Sequence, residues 1–341
     1  RNEQMRKEAS LAEWKALYEI ATELKELRPW ESFWDMDLIQ LQGEEEEDVA
    51  FVSILGKGGD CYGITVYEGY DGLNDFMRLA LADEMNLSVE FAMFSQNNLT
   101  CYWGNREELS EKQRKTIKEL GYKYRGKSQW LYFMTYQAGY FPYNLDEDEV
   151  RRMTRYLGLL LEAVQCYRDM EEVVDFKGGD LFCYEFNEKT GARKWGAQAM
   201  PFTSCQFPSL TLTEEELLRE LKEASKNDCI LEAECTYTGS AVTDKKYDRP
   251  ANPMLCLLAE RNSGMMLKAE MVGPDEDAMV VLAETVVGFI LTHGAPKEIR
   301  VSNVIIEAIL DQVCQVAGIR LRRVKKLSAV SEFWEGMRER F

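Results

Sequence analysis

The chain has 341 residues, 45% of them apolar and 29% charged, a composition that excludes disordered and fibrous classes and gives room for about two globular domains. Acidic residues outnumber basic ones, 59 to 41, and the resulting net charge of −18 disfavours nonspecific binding to nucleic acid or to an anionic membrane surface. Nine cysteines are spread singly, from Cys61 to Cys314, a usage that reads as buried, reduced thiols in a cytoplasm.

No run approaches the about 18 consecutive apolar residues of a membrane span, and the charged start, Arg1 to Ser10, does not read as a signal peptide. Leu11 to Leu27 places Trp14, Leu17, Tyr18, Ala21 and Leu24 at helical spacing, and Pro29 ends it. Asp37 to Gln42 and Val49 to Leu55 read as strands joined by the acidic turn Glu44 to Asp48. A third strand, Tyr62 to Glu68, follows Gly56-Lys57-Gly58-Gly59, and a helix follows over Asp71 to Ala82. Val89 to Ser95 and Leu99 to Trp103 read as a hairpin around Asn97-Asn98. Next come a basic helix, Ser110 to Leu120, and an aromatic strand, Gln129 to Gln137. Leu145 to Met170 is the clearest helix, with an acidic first turn and an apolar stripe.

A boundary falls after that helix, so the domains run from 1 to 173 and from 174 to 341. The second opens with strands Leu181 to Glu185 and Trp195 to Met200. A helix from Thr213 follows, with Thr213 and Glu216 spaced as a capping box. Strands Ile230 to Thr238, Met254 to Glu260 and Met265 to Val272 lead to a helix from Glu276 to Leu291. Strand Glu298 to Val301, helix Val304 to Val316, strand Ile319 to Val324 and helix Ala329 to Arg340 complete the chain. The fold class is α+β, two domains of mixed sheets flanked by helices. From about residue 230 the order βββαβαβα is that of the ribonuclease H-like fold, which hosts both nucleases and inert modules.

Several short runs carry a family resemblance. They are Trp14-x-x-Leu17-Tyr18-x-x-Ala21, Leu27-x-Pro29-Trp30-Glu31, Ala50-Phe51-Val52-Ser53, Gly139-Tyr140-Phe141-Pro142 and Pro296-Lys297-Glu298-Ile299-Arg300-Val301. Together they resemble uncharacterised bacterial proteins that pair two domains of unknown function. The resemblance touches both halves and implies no activity, cofactor or catalytic residue.

The one histidine, His293, precedes Gly294 at a helix end, where capping explains both. No G-x-S-x-G elbow, P-loop or dinucleotide fingerprint occurs, and strands flank the glycines at 56 to 59. No cofactor is called for. Carboxylates matter more, because a ribonuclease H-like nuclease holds two metals through clustered acids. The candidates are Glu232 and Glu234, on one face of the first strand of that order, and Glu284 on the following helix. Where the fourth strand ends and an acid is needed stand Ser302 and Asn303, the latter a helix N-cap. Asp35 and Asp37 form a second metal candidate.

Basic residues meet aromatic ones at Lys112, Arg114, Lys115, Lys118, Lys123, Arg125 and Trp130, the mixture of a single-stranded nucleic acid site. The leading reading is a non-catalytic binding or regulatory module of unidentified partner, with a protein as the candidate. A metal-dependent hydrolase through Glu232, Glu234 and Glu284, and nucleic acid binding through residues 112 to 136, stand as alternatives.

Overall fold

A computed structural model describes residues 6–338, which divide into two compact units. Unit 1 comprises the described residues up to Ala80, Gln96–Gln137 and Pro142–Cys205; unit 2 comprises Leu81–Ser95, Ala138–Phe141 and the chain from Gln206 onward.

Unit 1 is built on strands β1 (Ile39–Gln42), β2 (Val49–Leu55), β3 (Gly63–Glu68), β4 (Asn98–Gly104), β5 (Trp130–Tyr136), β6 (Asp180–Asn187) and β7 (Ala192–Ala199). They form one sheet in the order β5-β4-β3-β2-β1-β6-β7. All neighbours are antiparallel except β1 and β6, which run parallel. That pairing carries the unit on to Cys205, beyond the boundary at 173 read from sequence, because β6 and β7 extend the sheet that β1 starts. The β2–β3 turn needs Gly56, whose φ is +123° and whose missing Cβ leaves room for the Tyr62 ring.

Two helices cover one face, α1 (Leu11–Leu27) and α5 (Glu147–Asp169). Ser10 opens α1 through a capping box with Glu13, and Arg28 closes it in the left-handed region before Pro29 forbids continuation. Asp146 and Glu149 form the corresponding box on α5. Glu149 is itself buried, and it accepts hydrogen bonds from Arg6 at 2.7 Å and Thr135 Oγ1 at 2.9 Å. The acid that starts the helix therefore also ties it to β5. Leu17, Tyr18 and Leu24 of α1 and Met153, Leu157 and Leu160 of α5 share one core with Ile54, Val66 and Phe133 of the sheet.

The opposite sheet face is polar at its centre. Thr100 Oγ1 donates to Asn98 Oδ1 at 2.8 Å and lies 3.0 Å from Thr65 Oγ1, while Asn98 Nδ2 donates to Gln96. Helix α2 (Gly69–Ala80) covers β2 and β3 there. The basic helix α4 (Glu111–Glu119) lies in the same unit and sends Ile117 into its core.

Unit 2 has a five-stranded sheet of β8 (Ile230–Tyr237), β9 (Met254–Glu260), β10 (Met266–Val272), β11 (Glu298–Val301) and β12 (Arg320–Arg323), in the order β10-β9-β8-β11-β12. The first three are antiparallel, and β11 and β12 run parallel to β8. Helices α6 (Glu215–Glu223), α7 (Ala278–His293) and α8 (Val304–Ala317) pack on one face, where Leu231, Ala233 and Cys235 of β8 meet Leu282, Val286 and Ile306. Helix α9 (Ser328–Arg338) packs on the other, through Val330, Phe333, Trp334 and Met337 against Leu255 and Leu257. Phe341, four residues beyond Met337 and so in line with this stripe by helical spacing, lies outside the described residues.

Two local expectations change. Residues 89–95 are not the first arm of a hairpin: α3 (Val89–Phe94) is a helix, started by Ser88, whose Oγ accepts from the Phe91 N–H at 3.1 Å. Leu87, Phe91 and Phe94 recur at helical spacing, and the alternating pattern around them is fortuitous. Nor does Thr213 cap α6. Gln312 grips the backbone of Leu212 at both N–H and carbonyl, and the helix begins with Glu214 as an N-cap lacking a side-chain bond.

The core of unit 1 gives a direct test. Leu157→Ala, at a fully buried position, is expected to cost about 3 kcal/mol in urea unfolding. The half-buried Leu161→Ala is expected to cost less than half of that. Equal losses at both positions contradict the placement of α5.

Candidate functional site

β8 lies between β9 and β11 and is covered on both faces, so its two acids are shielded from water, Glu232 fully and Glu234 in part. Glu232 is 1% exposed. Its carboxylate accepts from the Val330 N–H at 3.0 Å and from Ser328 Oγ at 3.2 Å, the first turn of α9. A helix N-terminus leaves N–H groups unpaired and favours negative charge, so this acid anchors a helix.

Glu234, two residues on, meets a different environment. Continuing the register that sets Arg300 beside Glu232 brings Ser302 beside Glu234. The Ser302 hydroxyl donates to Glu234 Oε2, and the Cys235 N–H donates to Oε1 at 3.0 Å. Asn303 Nδ2 donates to Ser302 Oγ at 3.3 Å, while its Oδ1 takes the N–H groups of Ile305 and Ile306 and so caps α8. Burial pushes the Glu234 carboxyl up from 4.5 to about 7, against the two hydrogen bonds that favour its charge.

Glu234 floors a groove of about 330 Å³ at the carboxyl ends of β8 and β11. Crevices outside the carboxyl ends of parallel strands are the common ligand position of such sheets. One wall comes from Leu87, Ser88 and Phe91, the other from Val330 and Trp334, with Lys325 at the rim. Asn86 fixes the first wall, donating from Nδ2 to the Ser302 carbonyl at 2.6 Å. The groove therefore joins hydrogen-bonding groups on its floor to apolar walls, and its one acid is poised near neutrality.

Glu284 does not join the other two acids. It is exposed on α7, which packs on the face opposite α9. Among the described residues no group of three or more His, Cys, Asp or Glu is placed to hold a metal ion. Asp37 accepts from the Trp34 N–H at 2.8 Å and so closes a local turn, and the Asp35 carbonyl accepts from Ser53. His293 ends α7 beside Gly294, whose φ is +89° and whose N–H donates to Ile290.

Residues 122 to 125 of unit 1 alternate between half-buried rings and exposed cations. Lys123 and Arg125 are exposed, but the intervening rings of Tyr122 and Tyr124 stack on each other at 5.5 Å, and Tyr122 on Tyr18 at 5.6 Å. Lys112 pairs with Glu8 and Lys115 with Glu119, while Arg114 is half-buried and Lys118 exposed. Trp130 is half-buried between Tyr124 and Arg106. A second cavity of about 530 Å³ lies in unit 1 over Trp30, Tyr62 and Trp103. Its rings pack on one another, and its cations are engaged, Lys25 with Gln129 and Arg28 with Glu31.

The sequence points to Glu232 and Glu234 but not to the wall from residues 86–91, which a hairpin assignment hides. A Ser at 88 with helical spacing after it was the available signal.

Residues 14–183 match the family model of a domain of unknown function (DUF7309), and residues 217–338 match that of another (DUF6930). A search of the curated proteins finds no match. The resemblance to a pairing of two such domains therefore holds.

The raised Glu234 carboxyl has a measurable sign. The folded state holds this proton more tightly than the unfolded chain, so the contribution is complete below about pH 4.5 and is lost as pH rises through about 7. Glu234→Gln is expected to remove that slope and to stabilise the protein by roughly 2 kcal/mol at pH 8. Urea melts at pH 5, 6.5 and 8 check this. An unchanged pH slope in the variant contradicts the assignment.

Proposed function

We propose that this chain, which carries two domains of unknown function in tandem, works as a non-catalytic binding module whose ligand site is the groove around Glu234. The observation that carries the reading is the floor of the groove: one carboxyl that tends to neutrality, bonded to a serine hydroxyl with an asparagine alongside. Such a floor offers hydrogen bonds without a fixed charge, and Leu87, Phe91 and Trp334 offer apolar contact. The ligand class that fits is a small, neutral, hydrogen-bonding molecule with one apolar face.

The strand order β10-β9-β8-β11-β12, with β11 and β12 parallel to β8, supports the ribonuclease H-like reading of this unit. It does not bring the nuclease chemistry with it. Two-metal hydrolysis needs several carboxylates around the ions. Here Glu232 is committed to α9, Glu284 stands on the other side of the sheet, and Ser302 and Asn303 occupy the end of β11. The rings near α4 are engaged with one another, Tyr122 with both Tyr18 and Tyr124, which likewise argues against a stacking platform for single strands. A bacterial source and a cytoplasmic location fit the resemblance and the nine free thiols. No described helix is long and apolar enough to cross a membrane.

Calorimetry with manganese is expected to show no saturable heat below about 1 mM metal. A ligand-observed NMR screen of neutral fragments is expected to find binders that Glu234→Gln or Ser302→Ala weakens. Tight manganese binding lost in Glu234→Gln restores the hydrolase reading. Fragments that bind both variants as well as the native chain move the site elsewhere.

A further inference from the structure

Strand β10 forms one end of the unit 2 sheet: it pairs with β9, and no described strand pairs with its other edge. Much of it is exposed, with Leu267 at 37% and Met271 at 61% exposure. An open edge is a template for another strand, and folded proteins normally blunt it with charge, proline, a bulge or a short length. β12, at the opposite end, is blunted in that way by Arg320, Arg322 and Arg323. β10 carries a lysine and a glutamate flanking one alanine, Lys268-Ala269-Glu270.

That pattern is self-complementary. In a two-fold antiparallel pair the same face of both strands lies on the same side, so residues opposite each other must share parity. A dyad through Ala269 sets Lys268 against Glu270 of a second copy, twice. A dyad through Glu270 sets that glutamate against itself, and one through Lys268 sets two lysines together; both are repulsive. A register slip between Met266 and Lys268 leaves Lys268 to Val272 as the regular part of the edge, and the dyad at Ala269 uses its start. Ala269 and Met271 lie opposite Leu257 and Leu255 of β9, the face that α9 covers, so the exposed methionine would extend an existing apolar row.

We infer that β10 is a self-association edge, through which two copies of the chain join their unit 2 sheets into one ten-stranded antiparallel-joined sheet with the dyad at Ala269. The charges select this register: each strand supplies both members of the pair, so a second copy satisfies what the isolated edge leaves exposed. Lys268 and Glu270 are about half exposed, and their contact within one strand, at 3.4 Å, is weak in water and free to exchange for the cross-strand partner.

Sedimentation of the full chain over about 1–200 µM is expected to show a concentration-dependent dimer. Lys268→Glu and Glu270→Lys are each expected to weaken it about tenfold or more, because each reverses two contacts at once. The double variant, with the charges exchanged, is expected to return to within about twofold of the native affinity. Far-UV circular dichroism verifies folding, and Met271→Glu gives an independent disruption should either charge variant fail to fold. A monomer at every concentration overturns the proposal. So does a dimer indifferent to the single reversals and to Met271→Glu, or a folded double variant that stays dissociated.

Discussion

A sheet covered on both faces shields the carboxylates of its central strand from water, and unit 2 is shaped by that constraint. Glu232 and Glu234 alternate onto the face that α9 covers, and burying an unpaired charge costs far more than any single contact returns. Glu232 accepts from the N–H of Val330 and the hydroxyl of Ser328, and so fixes where α9 starts. Glu234 likewise accepts from one hydroxyl and one backbone N–H, and there burial outweighs both bonds and moves the carboxyl toward neutrality.

The groove follows from the same arithmetic. Anchored through Glu232, α9 lays Val330 and Trp334 along one side of Glu234. Asn86, held to the Ser302 carbonyl, places α3 along the other. The site thus rests on two structural tethers whose own groups are satisfied, and it leaves one ionisable group with spare capacity at its floor. Unit 1 shows the contrasting solution. There Glu149 is buried but has Arg6, Thr135 and the Asp146 N–H around it, a closed network that joins a helix to a strand and leaves nothing over for a ligand.

Much of the secondary structure was legible because its signals are local. The helices of residues 11–27 and 147–169 carry full apolar stripes and caps of side-chain type, and β11 coincides with its sequence span, Glu298 to Val301. Misreadings occurred where a short segment satisfied two periodicities, as at residues 89–94, or where a distant side chain decided a cap, as Gln312 did at Leu212. The candidate site was half legible. Two acids at i and i+2 on a strand share a face by geometry alone, and Asn303 was readable as a cap.

Sequence by itself determined the α+β class, most of the order of elements, the pairing of two domains and the acids of β8, since each depends on residues near one another in the chain. Tertiary structure alone decided that Glu284 stands apart from Glu232 and Glu234, and that residues 86–91 build a groove wall with β8 and α9. It also decided that β6 and β7 continue the first sheet. These are contacts between segments tens to hundreds of residues apart, and no local periodicity encodes which buried face a returning chain will cover.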